Sequence, residues 1–332
     1  MPRRRGPRAG TGALAMAAVA ALAATPLPVL AEPALIYELG GKADRSFNQA
    51  AFEGAERWKK ETGGRYLEFQ VGQSAQREQA ARRFAERGAS PVVAIGFPQA
   101  GSIATVAKEF PKTPFAIIDA VVDLPNVQSF VYREHEGSFL VGMLAALASK
   151  SGKVGFVGGM DIPLVRKFLC GFEQGARFAN PRVTVLSAMA GSTPAAWTDP
   201  ERGAELTKSQ IAQGVDVVFA AAGTTGLGIM QAAKDGGILA IGVDSNQNHL
   251  HPGTLLTSMV KRVDLAVVQA FKGVKPGITS LGLKEGGVDY ALDAYNERLL
   301  TPAMRKPVDA AKADIIAGRL KVIDYTVANA CK

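Results

Sequence analysis

The chain has 332 residues, 47% of them hydrophobic, with 38 basic and 30 acidic side chains and a formal net charge of +8. That length and apolar content support two sizeable cores rather than a disordered or fibrous chain. No basic stripe interleaved with aromatics is present, which argues against nucleic acid as a partner.

The first residues set the compartment. Arg3, Arg4, Arg5 and Arg8 precede an apolar run from Ala13 to Leu30 that ends in Val29-Leu30-Ala31. This is the layout of a secretory signal peptide, with cleavage expected after Ala31. The run is also near the length of a bilayer span, but Pro26 and Pro28 and the small-residue site favour cleavage. No Phe-Leu-Lys follows the arginines, so twin-arginine export is not indicated. Removing residues 1–31 takes away four arginines and no acids, which lowers the net charge from +8 to +4.

The mature chain then alternates strand and helix. Ala34 to Leu39 suits a strand buried on both faces, broken by Gly40-Gly41. Ser46 fits the N-cap of a helix carrying Phe47, Ala51, Phe52, Ala55 and Trp58 at helical spacing. Tyr66 to Val71 reads as a strand, Ala75 to Arg87 as a helix closed by Gly88, and Val92 to Phe97 as a strand leading to a helix from Gly101 to Glu109. Strands at Pro114 to Ile118 and Val127 to Tyr132 and a helix from Glu136 to Lys150 complete the first series. The polar stretch Ser149 to Lys153 then marks a break, and strands restart at Val154 to Val157, Val183 to Ser187, Val215 to Ala220 and Ile238 to Val243. Such alternation gives parallel sheets covered by helices, and in open sheets of this kind ligands bind at the carboxyl ends of the strands.

Enzyme chemistry finds little support. Gly223-Thr-Thr-Gly226-Leu-Gly228 follows a strand, but its spacing is not that of a dinucleotide or P-loop motif. Its backbone N–H groups could bind an uncharged hydroxyl or carbonyl, or its glycines could serve close helix-to-strand packing; both readings stay open. His249 and His251 sit two apart before Pro252, a spacing that fits no zinc signature, and with His135 they read as surface or hinge residues. No G-x-S-x-G elbow exists, and neither Cys170 nor Cys331 has an evident base partner. The chain is therefore read as a non-enzyme without metal or cofactor.

A binding site is the stronger reading. Glu38, Asp119 and Asp244 each follow a strand, where a carboxylate can accept hydrogen bonds from vicinal hydroxyls or from ring N–H groups. Phe47 and one of Trp197 or Phe219 would supply flat apolar faces from opposite lobes. Asn48, Gly223 and Thr224 would add hydrogen-bonding groups, and Lys261 a donor or the cation that keeps the acids ionised. The bland alternative makes Phe47 a hydrophobic staple, Asn48 a solvated first-turn residue and each acid a helix cap.

Four ordered stretches carry a family resemblance: GGKADRSFNQAAFEG from Gly40, VGFVGGMDIPLVRKF from Val154, AAGTTGLGIMQAAK from Ala221 and IGVDSNQNHLHPGTLLTSMVKRVD from Ile241. Together they resemble the basic membrane protein family, substrate-binding components of ABC importers that include purine nucleoside receptors. The resemblance implies a type I periplasmic binding protein fold, α/β, with two Rossmann-like lobes of parallel strands joined by a three-strand hinge. It implies lobe 1 at residues 32–150 plus 265–285 and lobe 2 at 151–262 plus 290–332, with crossings near 150, 262 and 287.

The same resemblance implies ligand contacts at Glu38, Phe47, Asn48, Asp119, Gly223 to Gly226 and Asp244. It also implies a purine nucleoside or nucleobase as ligand and an inner-membrane ABC permease as partner. Glu38 stands where the family commonly has aspartate, which would favour a smaller ligand. A sugar or another small polar molecule is the alternative. Many relatives carry a lipid-attachment cysteine at the end of the signal, and this chain has none there, so a periplasmic, unlipidated monomer is expected. Cys170 and Cys331 allow a single disulfide that would tie the C-terminus to a helix, or they remain two free thiols.

Overall fold

Strand β1 (Ala34–Tyr37) is buried at every position, and its alternation divides it between two cores: Ala34 and Ile36 pack into one apolar cluster, Leu35 and Tyr37 into another on the opposite face. A strand apolar on both faces needs a helical layer on each side, as parallel sheets require. The protein is described here by a computed structural model covering residues 1–3, 6 and 31–331. The apolar run of the expected export signal lies outside the described residues. Among those residues no helix is long and apolar enough to cross a membrane.

The first sheet is built from β1, β2 (Leu67–Gln70), β3 (Val92–Ile95), β4 (Phe115–Ile118) and β5 (Val127–Tyr132). Helices α1 (Phe47–Thr62), α2 (Gln76–Glu86) and α3 (Ala100–Glu109) connect them. After β5 come α4 (Glu134–Ala148), β6 (Lys153–Met160), α5 (Pro163–Ala179), β7 (Thr184–Gly191), α6 (Pro200–Ala212), β8 (Val217–Ala221), α7 (Thr225–Asp235), β9 (Leu239–Asp244) and β10 (Leu255–Lys261). The chain closes with α8 (Val263–Lys272), β11 (Gly277–Leu281), β12 (Val288–Tyr290), α9 (Pro302–Ile316) and the short α10 (Tyr325–Ala328).

The two six-stranded sheets run β11-β5-β4-β3-β1-β2 and β12-β10-β9-β8-β6-β7, parallel except for β12, which pairs antiparallel with β10. The orders correspond strand for strand, so β4 and β9 hold equivalent places, as do β5 and β10. The chain leaves the first sheet after β5, returns through α8 and β11, and leaves again at β12. Three connecting passes thus join the lobes.

The first pass does not fall near residue 150. Helix α4 already packs against α5, α9, β10 and β12, so it covers the second sheet, and the pass lies between Tyr132 and Glu134. Its contact with α5 is close because Gly171 and Gly175 face the backbone carbonyls of His135 and Phe139 with no room for a side chain. The polar stretch read as a boundary is a tight turn inside the second lobe. Asp216 pins it, accepting 2.7 Å bonds from the backbone N–H groups of Lys150 and Ser151 and a 2.6 Å bond from the Ser149 hydroxyl.

Both cysteines are free thiols. The Cys170 sulfur is buried on α5 and faces the carbonyls of Ile323 and Ala330 at 3.8 Å, under the C-terminal segment.

Candidate functional site

The carboxyl ends of the two sheets face one cleft of about 170 Å³. The first residues after β1 build its floor on one side. The Asp44 carboxylate accepts from the N–H groups of Ser46 (2.8 Å), Asn48 (2.9 Å) and Gln49 (3.0 Å), so it caps the start of α1. Ser46, the expected cap, makes no such bond. Its hydroxyl donates instead to Asp244 Oδ2 of the other lobe at 2.6 Å. The cap migrates because a carboxylate can take several helix N–H groups at once, and an anion there also suits the helix dipole.

Nine of the ten residues expected from sequence line this cleft: Glu38, Phe47, Asn48, Asp119, Trp197, Gly223, Thr224, Asp244 and Lys261. Phe219 does not. It is fully buried within β8, two residues before the strand's end, and packs edge-on against Phe156 and obliquely against Phe172 at 5.5 Å between ring centroids. It lies on the same face as Ala221 but one pleat repeat short of the strand's end, and the cleft is reached only at Ala221 and beyond. Phe97, Phe168 and Met160 line the cleft in addition, and sequence reasoning had not placed them there.

Two of the nine, Asn48 and Glu38, are held by partners within the first lobe. Asn48 accepts from the Glu38 N–H at 3.0 Å and donates to the carbonyls of Glu38 and Leu39 at 3.3 Å, so it braces the turn after β1. The Glu38 carboxylate is gripped by the guanidinium of Arg77 on α2, through Nε at 2.9 and 3.1 Å and through a second nitrogen. Arg77 is itself buried, 8% exposed, and the two neutralise one another. Bidentate pairing of this kind fixes both side chains.

Lys261, at the end of β10, is the electrostatic centre. Its ammonium donates to Asp119 Oδ2 at 2.6 Å, lies 3.0 Å from Glu134 Oε1, and sits 4.8 to 5.6 Å from the ring centroids of Tyr132, Phe47 and Phe168. Burial would lower its pKa, but Asp119, Glu134 and Asp244 outweigh burial and hold it well above the usual lysine value. Glu134 is fully buried and faces a second cation, Lys167, at 2.9 Å. Burial raises its pKa, and the two lysines more than reverse this, keeping it below the ordinary value and ionised. A carboxylate with no exposure is tolerable only with such pairing.

The two strand-end aspartates differ from Glu134. Burial pushes the Asp119 carboxyl above the ordinary range despite Lys261, and its Oδ1 is buried with no hydrogen-bond partner. Burial likewise raises Asp244 to about 6, opposed by Lys261 and by the Ser46 hydroxyl. Thr224 Oγ1 is a second buried oxygen without a partner. Trp197 lies across Gly159 and Gly223, where a methyl group on Gly159 would collide with the indole.

The lobes are closed on one another. Besides the Ser46–Asp244 and Lys261–Asp119 bonds, the Ser245 hydroxyl donates to the Ser46 carbonyl and Gln247 Nε2 to the Arg45 carbonyl, each at 2.7 Å. A cleft lined by aromatic faces, with a lysine, three aspartates and few free polar atoms, is suited to hold a flat polar molecule between the lobes.

Comparison with known proteins agrees with the architecture. The family model Bmp, described as ABC transporter substrate-binding protein PnrA-like, matches residues 34–317. The ABC transporter nucleoside-binding protein BmpA of Lactococcus lactis is 31% identical over 87% of this chain and 88% of its own length. Basic membrane protein A of Borreliella afzelii is 30% identical over 82% and 86%. Among solved structures, an ABC transporter solute-binding protein from Aeropyrum pernix superposes with a TM-score of 0.81 at 27% identity, covering 89% of this chain and 94% of that one. One from Conexibacter woesei gives 0.71 at 25% identity, covering 89% and 99%. The fold is the type I periplasmic binding protein fold, and the chain belongs to the Bmp family of ABC transporter substrate-binding proteins.

Proposed function

We propose that this protein is the periplasmic receptor of an ABC importer, that it closes around a purine nucleoside or purine nucleobase, and that it delivers the ligand to an inner-membrane permease. The observation that carries the reading is the Lys261–Asp119 pair set among Phe47, Phe168 and Trp197 in the cleft between the lobes. Aromatic faces suit a heterocycle, and the free oxygen of Asp119 suits a ring or exocyclic N–H. The nucleoside-binding name of the Lactococcus relative points the same way. The receptor performs no chemistry itself. Closure buries the ligand and changes the surface that the permease meets, so only the loaded form is productive. The arginine-led apolar run at the start of the chain would export it, after which it works as a monomer.

The test is a thermal-shift screen of protein that has been unfolded and refolded to strip carried-over ligand. Purine nucleosides and bases are compared with sugars. A purine at a hundredfold excess over its dissociation constant raises stability by about 2.7 kcal/mol, a plain shift in melting temperature. A response to sugars alone would replace the purine with a carbohydrate.

A further inference from the structure

We infer that the cleft selects a free purine base over its nucleoside; the inference rests on the purine reading above. A ribose brings three hydroxyl groups into a closed site, and each needs a partner, because a buried hydroxyl without one is penalised. Carboxylates at strand ends are the natural partners for a vicinal diol. In this cleft most carboxylate oxygens already accept from the protein, Asp119 Oδ1 and Asp244 Oδ1 being the exceptions among the described residues. Both Glu38 oxygens accept from Arg77, both Asp44 oxygens accept from the start of α1, and Asp244 Oδ2 accepts from Ser46. The Asn48 side chain is spent on the turn after β1.

Two buried side-chain oxygens of the cleft lining are left without a partner among the described residues, Asp119 Oδ1 and Thr224 Oγ1. That is a two-point pattern: a carboxylate oxygen that needs a donor, and a hydroxyl that can give or accept. Each suits a group on the edge of a purine base, where ring N–H groups lie beside ring nitrogens and exocyclic substituents. Around them the lining is apolar and aromatic, from Phe47, Phe97, Met160, Phe168 and Trp197.

The lobe contacts reinforce the selection. Ser46 bonds directly to Asp244 across the cleft, and a Cβ placed on Gly40 of the first lobe would stand only 3.5 Å from Thr224 Oγ1 of the second. In the closed form the lobes meet where sugar hydroxyls would need acids. The specificity follows from polar atoms already paired. A site that must break its own hydrogen bonds to admit a substituent discriminates against it strongly.

Isothermal titration of stripped protein with matched pairs, adenine against adenosine and hypoxanthine against inosine, measures this directly. The expected result is at least tenfold tighter binding of the base in the pair that binds. Equal or tighter binding of the nucleoside overturns the inference and leaves the purine receptor standing. Binding of no purine by the wild type overturns both. Asp119→Asn, checked for folding by its thermal transition, is expected to weaken base binding at least tenfold, and unchanged base affinity would contradict the two-point pattern.

Discussion

Asp119 and Asp244 are counterparts: each stands at the carboxyl end of an equivalent strand, β4 in one sheet and β9 in the other, and each adopts a left-handed backbone, with φ of 69° and 64°. Aspartate tolerates this conformation better than most residues, yet it still costs about 1–2 kcal/mol. The strain turns both carboxylates into the cleft, one to Lys261 and one to Ser46. Two strained, buried acids facing each other's lobe are what a ligand site keeps at the expense of stability.

The expense at Asp244 can be measured. Its pKa rises from 3.8 unfolded to about 6 folded, so the ionised form is disfavoured in the native state. A raised carboxyl penalises folding above the folded value, and the penalty disappears as pH falls below the unfolded one. Two units correspond to about 3 kcal/mol as an upper figure. Asp244→Asn keeps an acceptor for Ser46 and should be more stable than wild type at pH 7 to 8. Denaturant titrations should show the gain shrinking between pH 6 and pH 4.

Glu134 has the opposite sign. It lies 3.0 Å from Lys261 and 2.9 Å from Lys167 with no exposure, and its pKa is held below the ordinary 4.5. Its contribution is present above that value and lost as pH falls through the lower folded one. Glu134→Gln leaves two buried ammonium groups undercompensated and should cost about 3–5 kcal/mol at pH 7. Urea unfolding of both proteins at pH 7 and pH 4 would show the gap narrowing in acid.

Arg77 and Glu38 form the other buried pair. Arg77→Ala strands the Glu38 carboxylate and should also cost about 3–5 kcal/mol. The double variant Glu38→Gln, Arg77→Met removes both charges and should recover much of that loss. A double variant no better than the single one would show that packing, not charge, dominates.

Trp197 and Phe219 separate the cleft from the core. Trp197→Ala should weaken purine binding about tenfold, as loss of one stacking face does, with a modest effect on stability. Phe219→Ala, in the midst of Phe156 and Phe172, should cost about 3–5 kcal/mol of stability instead. Calorimetric titration and thermal unfolding of both variants distinguish the roles.

The strand-end acids and Phe47 were legible in sequence because topology alone sends strand ends to the cleft. What each carboxylate bonds was not, because the partners are remote: Arg77 is 39 positions from Glu38, and Asp244 is 198 from Ser46. Arg77 sits in a helix with several arginines, and nothing local marks it as the buried one. Glu134 gave no signal either, since the helix was expected to begin at Glu136 and to cover the first sheet. Phe219 misled because strand periodicity places a residue on a face without saying how far along the strand the cleft begins.

The most direct test of the account is titration of the stripped wild type and Asp119→Asn with purine ligands at pH 7, with folding of both confirmed. Saturable one-to-one binding to the wild type and at least a tenfold loss in the variant are expected. Purine binding of equal strength in both would contradict the placement of the ligand against Asp119 and Lys261, and no purine binding to the wild type would contradict the purine as ligand.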